Sequence, residues 1–377
     1  MIKGPFLIKV LGECEILGKR FKNTFIKYEN NKIIPIEKKE KTIITIKNGY
    51  FINFKKLKMD QEYVGTRIWN NVINQIIKTN RKNIIIIGSS DTGKSTLTLY
   101  ISNFLIKEGL KPIIIDSDIG QGELSPPGCI GTSTPSKQTI DLSKHIPKYI
   151  NFIGDIQPKG YEKRIINCIW KAKNKAHVND GVIIINTDGY VSDNGENYKI
   201  DLIEKINPDC IICMSGSKQG TELFEIIKNK SLNNKNVLIL DAFSPCKDFR
   251  KSPYDRREKR LKEYSKLNRK FTKKVTISKE KLSSIYYKNN FFYNMNTVNS
   301  HNNNIQLNIN DLLSESFLQN RYIGLSLRND DEKIIGFGII TNYSEGLFSI
   351  KSSIQEFDSI FLSDIKLFFN IMNEFKK

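Results

Sequence analysis

The stretch Ile84-Ile85-Ile86-Ile87-Gly88-Ser89-Ser90-Asp91-Thr92-Gly93-Lys94-Ser95-Thr96 decides how this chain of 377 residues is read. Four consecutive isoleucines predict a buried strand, and the eight residues after them fit the P-loop pattern G-x-x-x-x-G-K-[ST] at every fixed position. Glycines at 88 and 93 let the backbone curl until successive N–H groups converge on a phosphate. Lys94 adds a point charge, and Ser95 offers a hydroxyl to Mg²⁺. Leu97, Tyr100, Ile101, Phe104 and Leu105 then keep helical spacing up to Gly109, where a helix would stop. The start of that helix directs the anion-favouring end of its dipole at the same point.

A second apolar run, Ile113 to Ile115, leads into Asp116-Ser117-Asp118-Ile119-Gly120-Gln121. Asp118, just past the strand, can organise Mg²⁺ with Ser95 or accept a proton from an attacking hydroxyl. Asp116 points the same way in an extended chain, and either carboxylate can be structural instead. Two prolines keep residues 124–128 out of helix and central strand, so that stretch reads as a loop near the site. Further strands are expected at Phe152, at Val182 to Asn186, at Cys210 to Met214 and at Asn236 to Leu240, alternating with helices. That alternation means a parallel α/β sheet, with ligands gathered at the carboxyl ends of its strands. Here those ends are the P-loop, Asp116 to Gln121, and Thr187 to Tyr190.

The flanks read as β-rich. Residues 1–60 form an N-terminal β domain, in which Asn48-Gly49 predicts a hairpin turn. Residues 61–274 form the P-loop domain, entered by a helix over 61–79, and 275–377 a C-terminal β-rich domain. Six scattered cysteines are too few for a disulfide framework. The Cys210/Cys213 pair lies in an apolar strand, where residues three apart face opposite sides, so it reads as packing rather than metal ligation. His145, His177 and His301 are isolated. No run approaches the ~20 apolar residues of a membrane span, and Met1-Ile2-Lys3-Gly4-Pro5 lacks a signal-peptide pattern. A cytoplasmic protein without a membrane partner is expected.

The formal charge is +19, from 59 Lys and Arg against 40 Asp and Glu. An excess of this sign attracts polyanions, although Lys and Asn are abundant throughout the chain. Arginine placement is more informative: of 11 arginines, five fall between Lys247 and Lys274. In a chain that defaults to lysine, this clustering marks a need for the bidentate guanidinium fork. The stretch reads as a basic helix or lid, with a solvated charged helix as the competing reading. A GTPase would need an Asn-Lys-x-Asp segment, and Cys210 to Lys218 has none. A kinase needs an acceptor site and a lid of cations, which the arginines can supply.

With Gly88 to Thr96, Asp116 to Gln121, Pro126-Pro127-Gly128, Asn186-Thr187-Asp188-Gly189-Tyr190 and the basic stretch from Lys247 to Tyr264, the chain resembles the polynucleotide 5′-hydroxyl kinases. The resemblance covers most of residues 84 to 264. It implies ATP and Mg²⁺ as cofactors, with Gly88, Ser89, Ser90, Asp91, Thr92, Gly93, Lys94, Ser95 and Thr96 holding the nucleotide and Ser95 and Asp118 the metal. It implies catalytic roles for Lys94, Asp118, Gln121, Arg250, Arg257 and Arg260, with Arg256 in the same lid. Asp155, Gln157, Thr187, Gly189 and Tyr190 would meet the acceptor, although the family often has Trp where Tyr190 stands. The implied partners are 5′-hydroxyl ends of RNA, with DNA as the alternative acceptor, and a nuclease or ligase. A non-catalytic, ATP-bound scaffold in an RNA-processing complex is the competing function, and a small-molecule kinase a third.

Overall fold

A computed structural model describes residues 1–51, 69–177, 181–215, 218–231, 236–243, 251–288, 290–293, 297–300, 313–327 and 333–368. In chain order the first elements are β1 (Ile2–Ile16), β2 (Lys19–Tyr28), β3 (Ile33–Ile34), β4 (Glu37–Lys38), β5 (Ile43–Phe51), α1 (Asn70–Lys78), β6 (Asn83–Gly88), α2 (Lys94–Lys107) and β7 (Pro112–Asp116). Then come β8 (Cys129–Ser133), β9 (Tyr149–Phe152), α3 (Glu162–His177), β10 (Val182–Asn186), α4 (Gly195–Ile206), β11 (Cys210–Ser215), α5 (Lys218–Ser231), β12 (Leu238–Phe243) and α6 (Pro253–Asn268). The last strands are β13 (Lys273–Ser278), β14 (Ser284–Tyr287), β15 (Asn290–Tyr293), β16 (Thr297–Ser300), β17 (Arg321–Ser326), β18 (Gly336–Ser344), β19 (Leu347–Ser352) and β20 (Ser359–Lys366). The chain divides into two compact units, residues 1–115, 133–146 and 173–251 in the first, and 116–132, 147–172 and 252–377 in the second.

In the first unit the strand order is β12-β11-β6-β10-β7. The P-loop strand β6 pairs in parallel with β10 and β11, with Ile84 opposite both Ile184 and Cys210. Neither neighbour is adjacent in sequence, so each connection is a crossover that lays a helix on the sheet. Burial on both faces explains the unbroken isoleucine runs. Ile84 and Ile86 share a core with Val72, Ile73 and Ile76 of α1 and with Leu97, Ile101 and Leu105 of α2. The helix expected over 61–79 is present from Asn70 to Lys78, its earlier part lying outside the described residues. Cys210 belongs to this core, and burial pushes its thiol up to about 12, as suits a packing residue.

The N-terminal sheet of this unit is built on the long strand β1, which pairs antiparallel with β2, β3, β4 and β5. The hairpin expected at Asn48-Gly49 is absent. Strand β5 runs through both residues, and its register against β1 shifts at this point, with Gly49 at φ +96°. The dipeptide supplies a left-handed position for a bulge instead of a chain reversal. The tip of the β1–β2 hairpin is tied to α2, because Asn103 Nδ2 donates to Leu17 O (2.7 Å).

In the second unit β8 and β9 pair antiparallel, and the C-terminal sheet has the order β13-β19-β18-β17-β20-β14-β15-β16. Its β14 lies parallel to β20. One face buries Ile323, Leu325, Ile340, Phe348 and Ile350. The other buries Tyr322, Phe337 and Ile339 with Phe152 and with Tyr264, Leu267 and Phe271 from α6 and its exit. The basic helix expected within 247–274 is thus a 16-residue helix seated on this sheet. Its start is set by a capping box between Ser252 and Asp255, with Pro253 in the first turn.

Candidate active site

The first unit carries the P-loop set. Gly93 has φ +97°, a left-handed value that allows the loop to turn directly into α2 at Lys94. The Lys94 side chain is buried, and its Nζ donates to Gly88 O (2.9 Å) and Ser89 O (2.7 Å). Thr92 Oγ1 also donates to Ser89 O, and Asp91 accepts from Lys251 N (3.1 Å). Ser95 Oγ, in the first turn of α2, accepts from Asn186 Nδ2 at the end of β10 (3.2 Å). Past β10, Gly189 is pressed against the loop so closely that a Cβ there would lie 2.2 Å from Ser90 Oγ. Only glycine fits. Tyr190 beside it is half-buried. Thr187 is fully buried and donates its hydroxyl to Ile86 O (2.8 Å), so its side chain ties β10 to β6.

The turn that carries Gly189 and Tyr190 is held by a residue the sequence did not single out. Asp188 Oδ1 accepts from Lys199 Nζ (2.8 Å) and Tyr190 N (2.9 Å), and Oδ2 from Tyr198 OH (2.8 Å). The Lys199 side chain is 0% exposed.

The second unit carries the Asp118 set. Asp116 is buried and its Oδ2 accepts from Glu123 N (2.7 Å) and Leu124 N (3.2 Å). Of the two carboxylates, this one fixes the loop. Asp118 is half-buried, and its Oδ1 accepts from Gly120 N and Gln121 N (3.2 and 2.9 Å). Helix α6 clamps this turn. Lys259 Nζ donates to Gln121 O (2.5 Å), while Gln121 Nε2 donates to Gly120 O (2.9 Å) and reaches Arg256 O (3.4 Å). Gln121 Oε1 is buried with no hydrogen-bond donor among the described residues. Burial draws the Arg260 guanidinium below its usual range, and the charges of Arg256 and Arg257 draw it further, opposed by Tyr264 and Asp118. Arg257 is exposed. Arg250 lies outside the described residues.

Gly128 joins this turn to the Asp155 loop, donating to Ile119 O (2.8 Å) and accepting from Ile153 N (2.9 Å) and Gly154 N (3.1 Å). Asp155 is half-buried, which raises its carboxyl, and accepts from Gln157 N (2.9 Å); Gln157 is exposed. Both ends of the loop are pinned to Asp364 on β20. The Asp364 N–H donates to Gly154 O (2.8 Å), and its carboxylate accepts from Tyr161 OH (2.8 Å) and Tyr287 OH (2.6 Å). Burial alone would raise the Asp364 carboxyl, but these hydroxyls and the Lys288 ammonium hold it below its usual range. Its stabilising contribution is therefore present at neutral pH and lost as pH falls through the depressed value. Tyr287→Phe removes one hydrogen bond to a charged acceptor and is expected to cost about 1.5–3 kcal/mol in urea unfolding at pH 7. The cost should shrink in acid.

The family model described as mRNA cleavage and polyadenylation factor CLP1 P-loop matches residues 88–266. The chain is 33% identical over 186 residues to a polyribonucleotide 5′-hydroxyl-kinase of Pyrococcus abyssi, covering 48% of this chain and 49% of the relative. It is 30% identical over 184 residues to a polyribonucleotide 5′-hydroxyl-kinase of Methanocaldococcus jannaschii, covering 48% and 50%. The match spans about half the length of these curated relatives. Among solved structures, wild-type Clp1p in a Clp1p–Pcf11p complex aligns with a TM-score of 0.63 over 97% of this chain and 94% of that one, at 16% identity. That likeness shows the fold: a P-loop core with β-rich N- and C-terminal sheets. Among the described residues, no helix is long and apolar enough to cross a membrane.

Proposed function

We propose, from the match of residues 88–266 to the CLP1 P-loop family model, that the chain is a kinase that transfers the γ-phosphoryl group of ATP to the 5′-hydroxyl end of RNA. The observation that carries the reading is the Asp118–Gln121 turn clamped by α6, which groups a carboxylate, an unmet amide oxygen and arginine charge in one place. A site of this composition suits an incoming hydroxyl next to a multiply charged phosphoryl group.

Lys94 and the amides of Gly88 to Thr96 bind and orient the triphosphate, Lys94 leaving the carbonyls of Gly88 and Ser89 to do so. Gly189 keeps the Ser90 side of the loop in place. Ser95 and Asp118 are hard oxygen donors of the kind Mg²⁺ takes, and the ion when bound neutralises charge on the transferring phosphates. Gln121 Oε1 accepts from the acceptor hydroxyl or its neighbour and so orients it. Asp118 takes the hydroxyl proton as the new O–P bond forms and the bond between the β- and γ-phosphates breaks, releasing ADP. Arg256, Arg257 and Arg260, with Arg250, neutralise charge on the γ-phosphoryl oxygens. Asp155 and Gln157 grip the terminal nucleotide of the acceptor, and Tyr190 offers it an aromatic face.

The test is incubation of the full chain with γ-labelled ATP, Mg²⁺ and a 5′-hydroxyl RNA, beside matched DNA and a 5′-phosphorylated control. Label on the 5′-hydroxyl strands alone is expected, with RNA favoured. ATP binding without any transfer would overturn the reading in favour of a nucleotide-bound scaffold. Labelling of free nucleosides in preference to oligonucleotides would point to a small-molecule kinase.

A further inference from the structure

The arginines of the lid do not exhaust the basic stretch. Beyond them the charge continues past the end of α6 and onto the C-terminal sheet, where the register of three strands fixes which lysines share a face. Ile339 of β18 lies opposite Lys351 of β19, and Lys351 lies opposite Lys274 of β13. Directly opposed residues of antiparallel strands point to the same side. Ile339 is buried on the face that receives Tyr264, Leu267 and Phe271. Lys351 and Lys274 therefore stand on that same face, in the row beyond its apolar cover, and both are exposed. Arg269 and Lys270, also exposed, follow immediately on α6 and precede the buried Phe271. Lys274 and Lys351 stand side by side on this face, and chain continuity through Phe271, which is buried on it, brings Arg269 and Lys270 to the same margin, a basic shelf of four cations.

Two features distinguish this shelf from an ordinary solvated surface. Like charges directly opposite each other in a ladder are destabilising, yet Lys274 and Lys351 are so placed. Lysine on an edge strand guards against edge-to-edge pairing, which accounts for Lys274 on β13. It does not account for Lys351, because β19 lies inside the sheet between β13 and β18. Among the described residues, none of the four side chains makes an ion pair or hydrogen bond. Repulsion retained at an interior strand, with no carboxylate to relieve it, fits a polyanionic ligand that supplies the missing charge.

We infer that Arg269, Lys270, Lys274 and Lys351 bind the phosphodiester backbone of a single-stranded RNA, holding the strand downstream of its 5′ end. The choice of RNA over another polyanion rests on the kinase reading; the shelf itself does not. It gives the substrate class as a strand long enough to reach from the terminus to the shelf, recognised by backbone charge and not by sequence.

The full chain with Arg269, Lys270, Lys274 and Lys351 all changed to Gln is compared with wild type. Anisotropy titrations use an unstructured single-stranded RNA bearing a 5′-phosphate, which cannot serve as acceptor, across a range of KCl. Loss of four phosphate contacts should flatten the slope of log K against log salt by about 3, because each contact contributes about 0.7 on single strands. The affinity lost by wild type between 50 and 200 mM salt should then exceed the variant's loss by about 50-fold. Phosphorylation of a 5′-hydroxyl dinucleotide should be unchanged, because its single phosphodiester stays beside the terminus while Arg269 lies about 15 Å along α6 from the Lys259 clamp, and the advantage of long strands should disappear. Should the quadruple variant fold poorly, Lys351→Glu alone is expected to give a smaller change in the same direction. An unchanged slope in a folded variant overturns the inference. So does loss of binding to anionic phospholipid vesicles with RNA binding intact, which would assign the shelf to a membrane surface. A wild type that binds RNA with the steep slope but transfers no phosphate would sink the kinase reading and leave the shelf standing.

Discussion

Asp118→Asn is expected to slow phosphoryl transfer to a 5′-hydroxyl RNA by about 10²- to 10⁴-fold, the range spanned by a positioned general base. The substitution is close to isosteric. Its remaining carbonyl oxygen can still accept from the Gly120 and Gln121 N–H groups, so the turn and its clamp to Lys259 should persist. What is removed is the negative charge, and with it the capacity to take a proton and part of the hold on Mg²⁺. The drop should therefore fall equally on kcat and kcat/KM, with ATP affinity preserved in a titration with a fluorescent ATP analogue. Lys94→Ala is the contrasting control, because Nζ carries the only lysine charge within the P-loop sequence, and its loss should weaken ATP binding as well as transfer. Single-turnover rates measured for both variants separate the roles. Ordinary turnover by Asp118→Asn would remove Asp118 from the chemistry and leave the arginines as the main contributors.

The P-loop set and the Asp118 set differed in how readily they could be read from sequence. The P-loop was legible because its chemistry is contiguous: strand, glycine turn, Lys94, Ser95 and helix follow one another, and local spacing encodes all of it. The parallel core was legible for the same reason, since isoleucine runs buried on both faces leave a plain mark. Asn48-Gly49 was misread because the dipeptide reports only a need for a left-handed residue, which a hairpin turn and a bulge share; pairing with β1, over forty positions away, decides between them. Asp116 and Asp118 could not be ranked from alternation alone. Their difference lies in which carboxylate the following loop engages, and Glu123 N and Leu124 N take that of Asp116. The clamp of Lys259 on Gln121 spans 138 positions, and the hold of Asp364 on Tyr161 spans 203. Neither leaves a periodic signal. Asp188 was visible only as one letter of a motif, while Lys199, its partner, sits in an amphipathic helix where lysine ordinarily means solvent.

That lysine carries the second large expectation. Lys199→Met is expected to destabilise the protein by about 3–5 kcal/mol, because among the described residues it leaves the buried Asp188 carboxylate only Tyr198 OH and Tyr190 N as donors to a full negative charge. Methionine keeps most of the volume of the lysine stem, so the cost reports the charge more than a cavity. The double variant Asp188→Asn with Lys199→Met removes both charges while keeping a side-chain oxygen that can still accept from Tyr190 N or Tyr198 OH. It should cost clearly less than Lys199→Met alone, a non-additivity that urea unfolding of the four proteins would read directly. Because Asp188 orients the turn in which Gly189 meets Ser90, the single variant should also impair ATP binding under conditions where it remains folded, and the double variant should recover part of it. A cost below about 1 kcal/mol for Lys199→Met would mean that the turn is held by Thr187 and the packing of Gly189, with the ion pair contributing little net energy, as the desolvation of two buried charges allows.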